Sequence, residues 1–540
     1  MQRVVTMKVL VLVALLVSMA SAASIHSDQH LSRRLERTQL YEIGSKFAHR
    51  SVPSSSGVTT QSSATDDDDD EEDDGSSDGD TLDTHSQNDP GTKKEAGHKG
   101  SQRTLLDSVR ASDGTVVPIV SGVNGDPGVY PGSASAFIDG WRLLPNVTGA
   151  TIDLTTIKVG TGGATLAHYI TSSYDATKIK RAVIIVHGDN RVAWNEFIYA
   201  EASLQRAVQG GDVKEDEVVI MAPQFFNDVD HGAYPADPVT NASTSSVMIW
   251  SDNLNNWGDG SPSISPANSD VGAFDALDAT LTFFHDKTRF PNLVNVVVGG
   301  FSMGGQLVQR YSVLRPTVSS DDESRTQYWV SSPASFVYLN SSRPESIKSK
   351  CTGFNNYKYG LEGTLPLYLS DQGSGSPSKQ GVALTQAGLG PRYVARKLNF
   401  LVGLKDHIAG DSRCQADTQG RNHVTKLNNW ITTVMPYLAS SSGGKLPANS
   451  TVDYVKNVGH QDYRMIPSDP GVQRLFLDDY ASVGSSAAAP PSNGDTSSPA
   501  PSSSDLNGDK TDGDGPSQFR LAGRFIWTIS GLVVVALVFL

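Results

Sequence analysis

Short apolar runs alternate with amphipathic stretches between residues 150 and 460, and that rhythm predicts the architecture. Residues 151–159 and 164–170 alternate apolar and polar positions, the period of strands buried on one face, and read as a hairpin. Residues 182–186 are a continuous apolar run, as a strand covered on both faces should be, and 218–223, the β-branched stretch from 295 and 398–403 read as further buried strands. Residues 328–330 read as a further strand, and 452–458 as the last. Between these runs, Phe197, Ile198, Ala200, Leu204 and Ala207 form one face of a helix over 194–208. Residues 271–285 and the stretch opening at Gln306 also read as helices. Strands alternating with helices predict the α/β class: a mostly parallel sheet of about eight strands, antiparallel at its start, with helices on both faces. The loop over 225–266, rich in Asp, Asn, Trp and Gly, has a length usually tied to function or mobility.

Composition divides the 540 residues around this core. Residues 1–22 have a basic start (Arg3, Lys8), an apolar run and Ala20-Ser21-Ala22, which together read as a signal peptide. Residues 23–115 are polar and include nine consecutive acids over 66–74, a segment expected to be disordered because it cannot bury enough apolar surface. That run accounts for most of the formal net charge of −14, so the acidic balance says little about the globular part at 116–482. No basic face suggests nucleic acid. A Ser/Pro/Gly-rich linker follows at 483–518, and 519–540 ends in an apolar run preceded by Arg520 and Arg524. The run reads as a GPI signal, with Gly513 or Asn507 as attachment sites, or as a membrane anchor. The expected location is the secretory pathway and the cell surface, with the membrane as partner through this tail.

Two cysteines, Cys351 and Cys414, favour one disulfide in a secreted chain. Sequons at Asn146, Asn241, Asn340 and Asn449 agree with that route. No His/Cys group has metal-ligand spacing, and no motif asks for a cofactor.

The chemistry centres on Gly300-Phe301-Ser302-Met303-Gly304, where a β-branched strand runs into a helix through a glycine-flanked serine. That layout is a nucleophile elbow, whose tight turn lifts the hydroxyl clear of the sheet and needs small residues two positions to either side. A second copy, Gly75-Ser76-Ser77-Asp78-Gly79, sits in the acidic region with neither strand nor helix beside it. A serine hydroxyl needs a base, and the base an orienting acid. In open α/β sheets such groups collect beyond the carboxyl ends of strands. Asp406 follows the strand at 398–403 directly, ahead of its competitors Asp411 and Asp417. His460 follows the last strand, whereas His407 and His423 follow no late strand.

The order Ser302, Asp406, His460, with His187-Gly188 after the third strand, resembles the α/β-hydrolase superfamily over roughly 151–477. The segment 414–421 is also similar to one in secreted hydrolases of that superfamily. The resemblance implies that Ser302 attacks a carbonyl, His460 moves the proton and Asp406 holds the imidazole. It implies an oxyanion hole made by the backbone N–H groups of Met303 and Asp189, although the loop here reads His-Gly-Asp-Asn in place of the His-Gly-Gly-Gly of many esterases. The expected activity is cleavage of a small-molecule, lipid or glycan ester. A serine peptidase on the same fold and a catalytically inactive surface recognition protein are the alternatives. Trp250, Trp257 and Asn253 either shape a substrate pocket or pack the long loop down.

Overall fold

Alternate residues of the apolar runs face opposite layers. Ala182, Ile184 and Val186 enter one core while Val183 and Ile185 enter the other; Val296 and Val298 are divided from Val297, and Tyr328 and Val330 from Trp329, in the same way. Burying a side chain of this size is worth about 1.5–3 kcal/mol, so each strand is committed to both layers at once. The structure, a computed structural model, describes residues 108–110, 116–121, 126–132 and 139–480, apart from 238, 241–242, 252–256 and 370–380. The expected leader, acidic run, linker and C-terminal apolar run lie outside the described residues, as do Asn241 and Asn253. Among the described residues no helix is long and apolar enough to cross a membrane.

One sheet of eight strands carries the fold: β1 (Ala150–Asp153), β2 (His168–Thr171), β3 (Arg181–Val186), β4 (Val218–Pro223), β5 (Asn295–Phe301), β6 (Thr326–Ser331), β7 (Lys397–Gly403) and β8 (Ser450–Val455). Across the sheet they run β8-β7-β6-β5-β3-β4-β2-β1. The pairs β1–β2 and β2–β4 are antiparallel and the remaining pairs parallel. Helix α1 (Ala193–Gln209) covers one face, and α2 (Ala273–His285) and α3 (Met303–Leu314) the other. This is the α/β-hydrolase fold, with the mixed sheet, antiparallel start and two helical layers that the pattern predicts.

Four expectations on element limits change. The strand expected over 151–159 stops at Asp153, because the Asp153 carboxylate accepts the backbone N–H groups of Thr155 (2.7 Å) and Thr156 (2.9 Å) and turns the chain. Lys158–Val159 then pairs with Ala164–Thr165 in a separate small hairpin. The last strand ends at Val455, not at residue 458, with Asn457 in the left-handed region at φ 61°. The helix after the elbow opens at Met303, three residues before Gln306. A strand at Ser108–Arg110 pairs with Val116–Ser121 and lies within the segment expected to be disordered.

Cys351 and Cys414 form the expected disulfide, Cα atoms 5.7 Å apart and 63 residues apart in sequence. It ties the loop region after β6 to the loop after β7. In the same 414–421 segment, Gln419 accepts the Phe336 N–H (2.8 Å) and donates to the Phe336 carbonyl (2.9 Å), so that the segment is stapled to the chain beyond β6. A loop of this length removes about 4 kcal/mol of unfolded-state entropy when closed. Replacing both cysteines with alanine is expected to lower the unfolding free energy by about 2–4 kcal/mol, read from denaturant titration; an unchanged midpoint would show that the bond adds nothing.

Candidate active site

The strand order places the site. The chain leaves β3 in one direction and β5 in the other, and the crevice at such a switch point opens at the carboxyl ends of the two strands. Gly300 is level with Val186 of β3, so the loop after β3 meets the turn after β5.

Ser302 sits at that turn with φ 57° and ψ −118°, a left-handed conformation strained for a serine. The backbone around it leaves no room for side chains. A Cβ on Gly300 would lie 2.4 Å from the Gly304 carbonyl carbon, and one on Gly304 would lie 2.3 Å from the Val186 oxygen. The glycine spacing of the elbow is therefore a packing requirement.

His460 Nδ1 lies 2.8 Å from Asp406 Oδ2 and His460 Nε2 lies 2.9 Å from Ser302 Oγ. With the Nδ1 proton donated to the carboxylate, Nε2 is left to accept the serine hydroxyl proton. Asp406 follows β7 and is fully buried, while the His460 side chain is 21% exposed; the acid is interior and the base reaches solvent. Burial pushes the Asp406 carboxyl up, but the nearby His460 ring, which is hydrogen-bonded to it, and then the His423 ring outweigh it and hold the group well below the usual carboxylate range. The His460 ring packs against Phe301 (centroids 4.5 Å apart, planes at 42°) and against His423 (4.3 Å, planes at 22°).

Asp411 is turned elsewhere. It accepts from Arg413 Nε and Nη2 (both 2.7 Å) and from the Tyr359 hydroxyl (2.7 Å). Asp417 belongs to a short helical turn, Cys414–Asp417. Neither joins His460.

His187, Gly188 and Asp189 line the other side of Ser302, where a Cβ on Gly188 would lie 3.5 Å from that of the serine. His187 Nδ1 is 2.8 Å from the Gly188 carbonyl and Nε2 accepts the Phe225 N–H at 3.0 Å; burial brings the ring down to about 3, so it is neutral. The loop is clamped further along. Arg191, at φ 57°, donates to both oxygens of Asp230 (2.8 and 2.9 Å) and to the Asp189 carbonyl (3.1 Å). Trp141 Nε1 donates to the Asn190 carbonyl (2.6 Å), and Gln224 Nε2 to that of Arg191 (2.9 Å). Asp189 itself is exposed, and Met303 opens α3, where backbone N–H groups lack partners within the helix.

Trp250 and Trp257 are buried and pack the long loop: Trp257 stacks on Phe225 (5.3 Å, 14°) and meets His187 edge-on (4.7 Å). Asn146, Asn340 and Asn449 are exposed. Sequence reasoning passed over the Arg191–Asp230 clamp, His423 and Glu196. No local pattern marks them; each acquires its place through contacts between distant segments.

No protein-family model matches the chain, and a search of curated proteins finds no match. Solved structures similar to it include poly(aspartic acid) hydrolase-1 from Sphingomonas sp. KT-1, at 16% identity over 61% of this chain and 97% of that one, with a TM-score of 0.37. Another is LpqC, a poly(3-hydroxybutyrate) depolymerase from Bordetella parapertussis, at 16% identity over 58% and 88%, TM-score 0.35. The Pyrococcus furiosus esterase Pf2001 shares 14% identity over 61% and 92%, TM-score 0.29. The strand order and the placing of the three groups on its carboxyl edges define the class here: an α/β-hydrolase fold with a hydrogen-bonded Ser–His–Asp relay.

Glu196, in the first turn of α1, is fully buried, and neither carboxyl oxygen closes a hydrogen bond among the described residues. A helix N-terminus favours an anion by about 0.3–1 kcal/mol, far less than full desolvation costs it. Burial, with Asp462 and Asp126 nearby, therefore raises Glu196 well above its ordinary 4.5, and burial with Asp126 brings Asp462 up to about 6. Because the folded chain holds the Glu196 proton where the unfolded chain has released it, stability is full below about 4.5 and declines as pH rises towards the folded value. Glu196→Gln removes that decline. The variant is expected to gain about 2 °C or more in Tm over the parent at pH 8 and less at pH 4; a pH-independent difference would contradict the buried neutral acid.

Proposed function

We propose that the chain is a serine hydrolase that cleaves a carboxylic ester through an acyl-enzyme. The supporting observation is the continuous relay from Ser302 Oγ to His460 Nε2 (2.9 Å) and from His460 Nδ1 to Asp406 Oδ2 (2.8 Å), on an elbow whose serine is held in a strained conformation.

In this reading Ser302 Oγ attacks the ester carbonyl as His460 Nε2 takes its proton. The imidazolium, stabilised by Asp406, returns that proton to the departing alcohol. Water then repeats the sequence on the acyl-serine, so that serine, base and acid end as they began. The negative oxygen of each tetrahedral intermediate would be met by the backbone N–H groups of Met303 and Asp189. The Arg191–Asp230 pair would serve this hole by fixing the loop before substrate arrives, since breaking a buried pair leaves a charge without compensation. The disulfide fits an oxidising compartment, and the proposal includes passage through the secretory route to the cell surface.

A fluorophosphonate probe is expected to label the parent protein at Ser302 and to leave Ser302→Ala unlabelled. Ser302→Ala and Asp406→Asn should each lower kcat on p-nitrophenyl acetate by about 10⁴-fold or more. Equal labelling of parent and Ser302→Ala would sink the proposal. Faster turnover of aminoacyl amides than of the ester would move it to a peptidase.

A further inference from the structure

Asp406 is a fully buried carboxylate with two oxygens to satisfy, and His460 occupies only Oδ2. Across Oδ1, at 3.0 Å, lies Nδ1 of His423, itself fully buried. The approach is short but off-line, so that Oδ1 closes no linear hydrogen bond among the described residues. Contacts of this kind in an unliganded site commonly tighten when charge develops. Each imidazole thus faces one oxygen of the same carboxylate, and the two rings stack on each other, centroids 4.3 Å apart.

We infer that His423 is a positioning residue for the relay: its neutral ring donates Nδ1–H to Asp406 Oδ1, fixing the carboxylate's rotation and buttressing the His460 ring in line with Ser302. The inference rests on the serine-hydrolase reading above.

The tautomer follows from the surroundings. A proton on Nε2 would leave a lone pair on Nδ1 facing a carboxylate oxygen, which is repulsive, and would bury an N–H with no acceptor, because Nε2 has no hydrogen-bond partner among the described residues. A proton on Nδ1 removes the repulsion. The charged and titratable groups facing the ring are Asp406, His460 and Lys426. Lys426 directs its ammonium to the carbonyls of Ala409 (2.7 Å) and Asp411 (2.9 Å), away from the ring. Burial and the adjacent His460 hold His423 down to about 4, so it stays neutral when His460 takes the serine proton, and no second cation opposes that step.

The ring is also held mechanically. Its backbone N–H donates to the Ile408 carbonyl (3.2 Å), and Asn422 caps the helix it opens, His423–Asn429. A Cβ on Gly410, which sits at φ +63°, would come within 2.5 Å of His423 Nε2. Asp406, His423 and His460 also form a group whose donor atoms lie within 4.8 Å of one another, a spacing that could hold a metal ion. The relay needs a proton on His460 Nδ1, and a metal would need the lone pair there, so the two uses exclude each other.

Two variants and one spectrum test the role. His423→Phe keeps a ring and removes the donor; His423→Asn supplies an amide N–H near the place of Nδ1. With folding checked by circular dichroism and melting, His423→Phe is expected to lose about 10- to 100-fold in kcat on p-nitrophenyl acetate with KM unchanged. His423→Asn should recover most of that loss. In parent protein labelled with ¹⁵N-histidine, ring shifts at pH 7 should place the His423 proton on Nδ1. Parent-like kcat in folded His423→Phe, an Asn variant no better than Phe, or a proton on Nε2 would each overturn the inference. Failure of the parent to react with fluorophosphonate would instead overturn the hydrolase reading, and the ring shifts report on His423 whichever way that falls.

Discussion

Everything in the site depends on backbones approaching one another more closely than side chains allow. At the elbow, Gly304 presses against the carbonyl of Val186, and Gly300 against Gly304. This packing brings the loop after β3 alongside Ser302 and sets the serine at positive φ. The strain is tolerable because β5 is hydrogen-bonded on both sides, to β3 and β6, and its residues are buried throughout. A side chain at either glycine would move the serine and the loop beside it together.

The fold was largely legible because its strands are buried on both faces. Residues 182–186 and 296–298 read as strands for the same reason that they are strands: nothing polar interrupts them. Ser302, Asp406 and His460 could be placed from sequence because each follows such a run, and parallel register carries the ends of neighbouring runs to one edge. Legibility failed where a side chain acts on distant backbone or on another side chain. The carboxylate of Asp153 cut short a strand whose alternation continued past it. Asp230 looked like one more acid in a long polar loop, yet it is fully buried and holds Arg191. His423 was set aside because it follows no strand; it arrives at Asp406 on a helix instead.

The electrostatics of the two sides differ in kind. Behind His460, one charged carboxylate has the neutral ring of His423 across its other oxygen, which keeps a single negative charge where a developing imidazolium needs it. Around Glu196 and Asp462, acids lie near acids, and burial resolves the conflict by favouring their protonated forms. The same protein environment sustains ionisation on one side, where donors are supplied, and opposes it on the other.

The disulfide divides the three relay residues. Asp406 lies inside the span closed by Cys351 and Cys414, and Ser302 and His460 lie outside it. All three follow strands of the sheet, but only the acid's loop has a covalent boundary as well. Opening that bond would give slack to the loop that bears the acid while leaving the strands that lead to serine and base paired as before.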